Sequence, residues 1–299
     1  MKVILDMDPG IDDAVALLIA LNSAALDILG VTTVNGNVNV DKATYNALRI
    51  VDFMGKKITV AKGACKPLLR KPIHSEHIHG RDGLGDANLR TESKCLIDAQ
   101  TFFHDMLTTH KKREISILAT GPLTNIALLL SREPLAHRLH KIVFMGGVYN
   151  IVRNVLGNVS PCAEFNVYCD PEAADLVFNS NVQIDAVGLD VTTCTECAID
   201  SKVLAMIEKI RGKNALIASE LLRFPVSRYK IFHIHDVYAL AGLLHPTMFK
   251  TINCNVIVDK SGKFRGRCII LRRKGNVNVC LRVSPKRFIK FVLSGLRQR

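Results

Sequence analysis

The sequence predicts an α/β protein: an open, mainly parallel sheet with helices on both faces. Two observations carry this expectation. Short β-branched runs alternate with helix-length stretches over much of the chain, as in successive βαβ units. Acidic residues cluster where the first strand gives way to the first helix, and open parallel sheets bind ligands at the carboxyl ends of their strands.

Val3 to Met7 is a short apolar run ending in acids, and Ala14 to Leu21 is helical. Ile28 to Thr33 reads as a strand, Asp41 to Met54 as a helix and Ile58 to Ala61 as another strand. Ile97 to Leu107 is amphipathic. Strands follow at Ile115 to Ala119, Ile142 to Met145 and Ile184 to Val187, with helices at Leu123–Leu130 and Pro171–Phe178. The order is Rossmann-like. Residues 66–90 and 149–161 lack periodicity, and long irregular stretches in a compact enzyme are usually functional loops. With no internal repeat or linker, residues 1–299 read as a single domain.

Hydrophobic residues make up 48% of the chain, enough for a large core and against wholesale disorder. Asp6 and Asp8 interrupt the N-terminal apolar run too early for a signal peptide. The strongest apolar run, Ala14 to Leu21, is too short to span a bilayer. The expectation is a soluble, cytoplasmic protein with no membrane partner. Of nine cysteines, only Cys194 and Cys197 have C-x-x-C spacing. Without a second ligand pair they read as reduced thiols rather than a zinc site. Residues 260–299 contain 13 Lys and Arg and no acid, while the rest carries 27 of each sign. Strand-like runs at Cys268 to Leu271 and Val277 to Val283 favour a solvated basic face packed on the sheet edge. No interleaved aromatics suggest base stacking, so a nucleic-acid partner is not expected.

Asp6 and Asp8 lie two apart at a strand end and share a face. Pro9-Gly10 turns the chain, and Asp12 and Asp13 open the next helix. Helix capping accounts for one or two of these acids, but not for the pair on the strand. Like charges this close repel. A hard divalent cation with oxygen ligands, Ca²⁺ or Mg²⁺, relieves that repulsion.

DMDPGIDDA at residues 6–14 is similar to the signature of the inosine–uridine-preferring nucleoside hydrolase family. Further matches follow in the family's order: Thr32 to Asn37 (TTVNGN), His77-Ile78-His79-Gly80, Gly83-Leu84-Gly85, Ala119 to Asn125 (ATGPLTN) and Met145-Gly146-Gly147. Gly157-Asn158, Ala163 to Asn166 (AEFN), Asp170 to Ala174 (DPEAA) and His235-Asp236 complete the set. The resemblance runs to about residue 245. It implies hydrolysis of the N-glycosidic bond of ribonucleosides, with a Ca²⁺-bound water as nucleophile and Asp8 as its base. It implies Asp8, Asp13, Asp236 and the Thr120 carbonyl as metal ligands, with Asp6 supporting them from behind. Asp12 is then a ribose 2′-hydroxyl ligand and Asn37 a water-orienting residue. Asn158, Glu164 and Asn166 bind ribose hydroxyls, and Met145 lines the sugar pocket. It also implies a homodimer or homotetramer.

The chemistry supports this division of labour. Cleaving the ribosyl–base bond builds positive charge on the sugar, which carboxylates and amide oxygens stabilise. The leaving base needs neutralising. His235 is the candidate acid, with a pKa expected near the working pH. His79, on a loop over the base, and His233, alternating with His235 along an extended stretch, are weaker candidates. No tryptophan is present, which points away from purine stacking between indoles and toward a pyrimidine-preferring or nonspecific enzyme. Tyr229, Phe232 and Tyr149 are the remaining stacking candidates. The stretch Val148–Leu156 is longer than usual for the family and is a candidate for reshaping the base pocket or making a subunit contact.

Two alternatives have distinct signatures. A phosphatase of the haloacid dehalogenase type also begins with D-x-D after a strand, with Asp6 as nucleophile. It does not require Asp12-Asp13, AEFN or His235-Asp236. A non-catalytic nucleoside-binding protein needs the ribose ligands but not Asp8.

Overall fold

Strand β1 (Lys2–Met7) shows why the sequence reads as it does. Val3, Leu5 and Met7 enter one apolar cluster and Ile4 enters another, because successive side chains point to opposite faces of a sheet. Both faces are covered, so the strand is apolar throughout until its acids. The computed structural model describes the whole chain except Asn88, residues 133–136, Arg153, residues 272–273 and residues 298–299.

The elements that follow are α1 (Ile11–Asn22), β2 (Asp27–Thr33), α2 (Val40–Phe53), β3 (Thr59–Lys62), α3 (Glu76–His79) and α4 (Ala99–Thr109). Next come β4 (Ile115–Ala119), α5 (Thr124–Arg132), β5 (Ile142–Met145), α6 (Phe165–Cys169), α7 (Pro171–Phe178) and β6 (Ile184–Val187). The remainder is α8 (Leu189–Thr192), α9 (Ser201–Glu208), α10 (Lys213–Tyr229), α11 (His235–Leu244), β7 (Phe249–Val258), β8 (Cys268–Leu271), β9 (Val277–Val283) and α12 (Pro285–Gly295).

Among the described residues the strands form one sheet in the order β3-β2-β1-β4-β5-β6-β9-β7-β8. Pairing is parallel from β3 through β9, and β7 is antiparallel to both its neighbours. The expected open, mainly parallel α/β sheet is therefore present. Residues of α1, α2, α10, α11 and α12 fill the cluster on one face, and those of α4, α5 and α7 the cluster on the other. The basic segment supplies β8, β9 and α12. Strand β8 forms the sheet edge, whereas β9 lies inside it, between β6 and β7.

The strand order reverses between β1 and β4. Crossovers leave that point in opposite directions, and the crevice above it is where open α/β sheets place ligands. Asp6, Asp8 and Thr120 all lie there.

Candidate active site

Strand β1 delivers Asp6 and, one residue past its end, Asp8. The turn at Pro9-Gly10 leads into α1, whose first turn carries Asp12 and Asp13. Asp13 Oδ2 accepts the Gly10 N–H at 3.0 Å, and its Oδ1 accepts the Thr120 hydroxyl at 2.7 Å. One of the four acids thus caps the helix while remaining in the site. Asp6 faces backwards. Its Oδ1 accepts from Thr32 Oγ1 at 2.5 Å and Asn125 Nδ2 at 2.8 Å, and its carbonyl accepts the Thr120 N–H at 2.9 Å. It ties the ends of β1, β2 and β4 together.

Asp8 is fully buried. Its Oδ2 accepts the Asn37 N–H at 2.6 Å, while Oδ1 has no hydrogen-bond donor. A Cβ on Gly36 would lie 1.9 Å from Oδ2, and one on Gly121 would lie 2.8 Å from Oδ1. Only glycine lets the backbone approach the carboxylate from both sides. Asn37 completes the surround: its Nδ2 donates to Asp13 Oδ2 at 3.1 Å, and its Oδ1 accepts from Ser75 Oγ at 2.7 Å.

Helix α11 brings Asp236 from the far end of the chain. Carboxylate oxygens of Asp12, Asp13 and Asp236 lie within 4.8 Å of one another. The triad contains Asp12, which the sequence had assigned to the sugar, while Asp8 lies beside it. Burial raises every one of these acids. Asp6 is pushed up to about 6, and Asp12, with Asp13 next to it, to about 7. Burial and then neighbouring carboxylates drive Asp8 and Asp236 well above the usual range, and burial raises Asp13. Such a cluster needs protons or a cation. The unpartnered buried oxygens of Asp8 and Asp12 are the hard donors that a divalent cation takes. The Thr120 carbonyl accepts Asn166 Nδ2 at 2.7 Å and keeps a second lone pair.

Above the acids lies a cavity of about 510 Å³. Asp12, Asn37, His79, Thr120, Met145, Asn158, Glu164, Asn166, His235 and Asp236 all line it, with Asp8 and Asp13 beneath. Glu164 caps α6, its Oε1 accepting from Asn166 N at 2.8 Å and its Oε2 from Gly147 N at 2.9 Å. Asn158 Oδ1 accepts from Phe165 N at 2.8 Å. Ile73, Phe165, Tyr229, Ile231 and Phe232 give the outer part an apolar lining.

The histidines differ from expectation. His235 opens α11 and its Nδ1 lies 2.7 Å from Thr192 Oγ1. Burial, with His233 and His79 nearby, pushes it down to about 3. It is a neutral imidazole at neutral pH, not a group titrating near the working pH. His79 is likewise pushed down to about 3 by burial, and its Nδ1 accepts the Ile11 N–H at 3.1 Å. His233 lines the cavity from the loop before α11, not along an extended strand. Tyr149 is not a stacking residue: it is buried away from the cavity, with its hydroxyl donating to the Gly146 carbonyl at 2.9 Å. Among the described residues of 148–156, none lines the cavity.

Sequence reasoning missed Ser75 and Thr192, which sit outside every recognised motif. It also gave no role to Thr32, Asn125, Gly36 and Gly121, although each lies inside a quoted motif.

A cluster of buried carboxylates at the switch point of an open parallel sheet, floored beneath a cavity of small-molecule size, defines a hydrolase built for metal-assisted chemistry. The chain belongs to the inosine-uridine preferring nucleoside hydrolase family, whose model matches residues 3–290. It is 39% identical over 277 residues to the pyrimidine-specific ribonucleoside hydrolase RihA of Photobacterium profundum, covering 87% of this chain and 85% of that one. It is 36% identical over 271 residues to the inosine-uridine preferring nucleoside hydrolase of Leishmania major, covering 87% and 84%. Its structure is similar to that of a purine-preferring ribonucleoside hydrolase from Gardnerella vaginalis, with a TM-score of 0.91 and 29% identity over 99% of this chain and 98% of that one. The protein is thus a hydrolase acting on N-glycosyl bonds. Among the described residues no helix is long and apolar enough to cross a membrane.

Proposed function

We propose that the protein hydrolyses ribonucleosides to ribose and free base, with a pyrimidine-preferring or nonspecific choice of base. The observation that carries this reading is the buried, donor-free Oδ1 of Asp8 beside Asp12 and Asp236, which line the cavity. In this reading Asp8 takes a proton from the attacking water, which Asn37 orients, and the water oxygen bonds to the anomeric carbon. The electron pair of the C1′–N bond passes to the base. A hydrogen bond from the ring of His235, with His79 nearby, steadies the charge on the base as it departs. The proton taken by Asp8 balances the one that the base acquires on release. Asp12, Asn158, Glu164, Asn166 and Met145 hold the ribose, and Asp236 joins them. Fixing the hydroxyls fixes the anomeric carbon.

Asp8, Asp13, Asp236 and the Thr120 carbonyl would hold a Ca²⁺ ion, with the Asp12 carboxylate within 4.8 Å of those of Asp13 and Asp236. When bound, the cation supplies charge to hold the carboxylates and lowers the pKa of water. The absence of tryptophan and the apolar outer lining support a base choice not built on indole stacking. All nine cysteines are free, which suits a reducing cytoplasm. We further propose one domain over residues 1–299 and a homodimer or homotetramer in solution, readable by light scattering.

The deciding experiment is a panel of purine and pyrimidine ribonucleosides assayed for free ribose. Release from uridine or cytidine at least equal to release from inosine and guanosine is expected. Release from purines alone would overturn the base preference, and no release from any would overturn the activity.

A further inference from the structure

Arg49 is a buried cation, 7% exposed, with no part in the chemistry above. It stands on α2 three residues after Asn46, which is 1% exposed, so the two share a face of the helix. The guanidinium donates to four groups. Nε reaches the Leu89 carbonyl at 2.6 Å and Nη2 the Ala87 carbonyl at 2.9 Å. Nη1 reaches Asp82 Oδ2 at 3.2 Å and Asn46 Oδ1 at 3.1 Å. A guanidinium accepts nothing, so the oxygen of the Asn46 amide faces it. The amide nitrogen then faces two carbonyls, Pro9 at 3.1 Å and Asp82 at 2.8 Å. Gly83, with a φ of +86°, passes against that nitrogen, and a Cβ there would lie 2.9 Å from it.

Pro9-Gly10-Ile11 is the turn that separates Asp8 from Asp12. The polar backbone groups that α1 leaves free in it are all held. Asn46 holds the Pro9 carbonyl, Asp13 the Gly10 N–H and His79 the Ile11 N–H. His79 is tied in turn, its carbonyl accepting the Gly85 N–H at 2.8 Å, and Gly85 lies within the stretch that Arg49 grips at Asp82, Ala87 and Leu89. One pair of residues on α2 thus holds the turn from one side and the loop that holds it from the other. We propose that Asn46, oriented by Arg49, is a positioning residue that sets the spacing between Asp8 and the acids of α1 and so tunes their affinity for the cation. This rests on the roles given to Asp8, Asp12 and Asp13 above. Aspartate at position 46 keeps the shape and still accepts from Arg49, but it has no donor for either carbonyl. Lysine at position 49 keeps the charge but loses the fork.

The test titrates the full-length wild type, Asn46→Asp and Arg49→Lys with Ca²⁺ in a calorimeter and follows amide hydrogen exchange. In Asn46→Asp the Ca²⁺ affinity should fall roughly tenfold to a hundredfold, and kcat for uridine at saturating Ca²⁺ should fall with it. Exchange at Gly10 and Ile11 should rise roughly tenfold while the amides of β1 stay protected. Arg49→Lys should lose less affinity and release the Leu84 and Asp86 amides, both of which Asp82 Oδ1 accepts. Unchanged Ca²⁺ affinity in Asn46→Asp would overturn the proposal. So would an equal rise in exchange through β1 and β4, because Asn46 would then only support the fold. A wild type that takes up no Ca²⁺ would instead overturn the cation reading, whereas exchange at Gly10 and Ile11 still reports on Asn46 alone.

Discussion

At the scale of single residues, the site is a set of buried acids in which Asp6 ties strand ends and Asp13 caps a helix, while Asp8 keeps one oxygen with no donor. Asp8 is held by one backbone N–H and two glycines, with one oxygen left over. Replacing it by alanine removes the proposed base and one buried, unsatisfied charge together. Asp8→Ala should lower ribose release by about 10²–10⁴-fold while the variant keeps a cooperative melting transition. Wild-type-like turnover would remove Asp8 from its role. These acids were legible in the sequence because carboxylates that break an apolar strand read as functional by elimination. Thr192 was not legible. A threonine near a chain turn is common, and only the fold reveals that its hydroxyl meets a histidine 43 residues away.

At the scale of elements, α12 is remote from the cavity but bears on it. Phe288 is fully buried and stacks on Tyr238 of α11, with ring centroids 3.8 Å apart. Tyr238 lies on the helix that begins with His235 and Asp236. Phe288→Ala should cost about 3–5 kcal/mol of stability, measured by denaturant unfolding. It should also reduce kcat, because α11 loses a support directly behind its first turn. Full stability would show that the site collapses around the gap. Strands β4, β5 and β6 and helix α7 match their sequence boundaries, since short β-branched runs and Asp170-Pro171 mark ends locally. Helices α10 and α11 were not read. Residues 236–243 are all buried, so α11 has no polar face to set a period, and α10 has Pro225 within it.

At the scale of the whole molecule, the acids couple the site to global stability. Asp6 and Asp12 have folded-state pKa values near 6 and 7, above the unfolded carboxylate range. The folded chain therefore binds protons that the unfolded chain releases, and stability from these groups falls as pH rises from about 4 to about 7. In chelator, the melting temperature should decline across that window. Adding Ca²⁺ should reverse the decline and restore activity, with about 2.7 kcal/mol gained at a hundredfold excess over Kd. A melting temperature that rises with pH in chelator, or full activity there, would contradict the cation reading.

Asp13 and Asp236 meet although they stand near opposite ends of the chain. During synthesis, the N-terminal acids leave the ribosome long before their partner exists, and every strand from β2 to β6 must be laid between them. Catalysis is therefore a report on completed folding. A chain cut before α11 lacks Asp236 and with it one of the three meeting carboxylates, so ribose release gauges whether the chain has been made and folded through that helix.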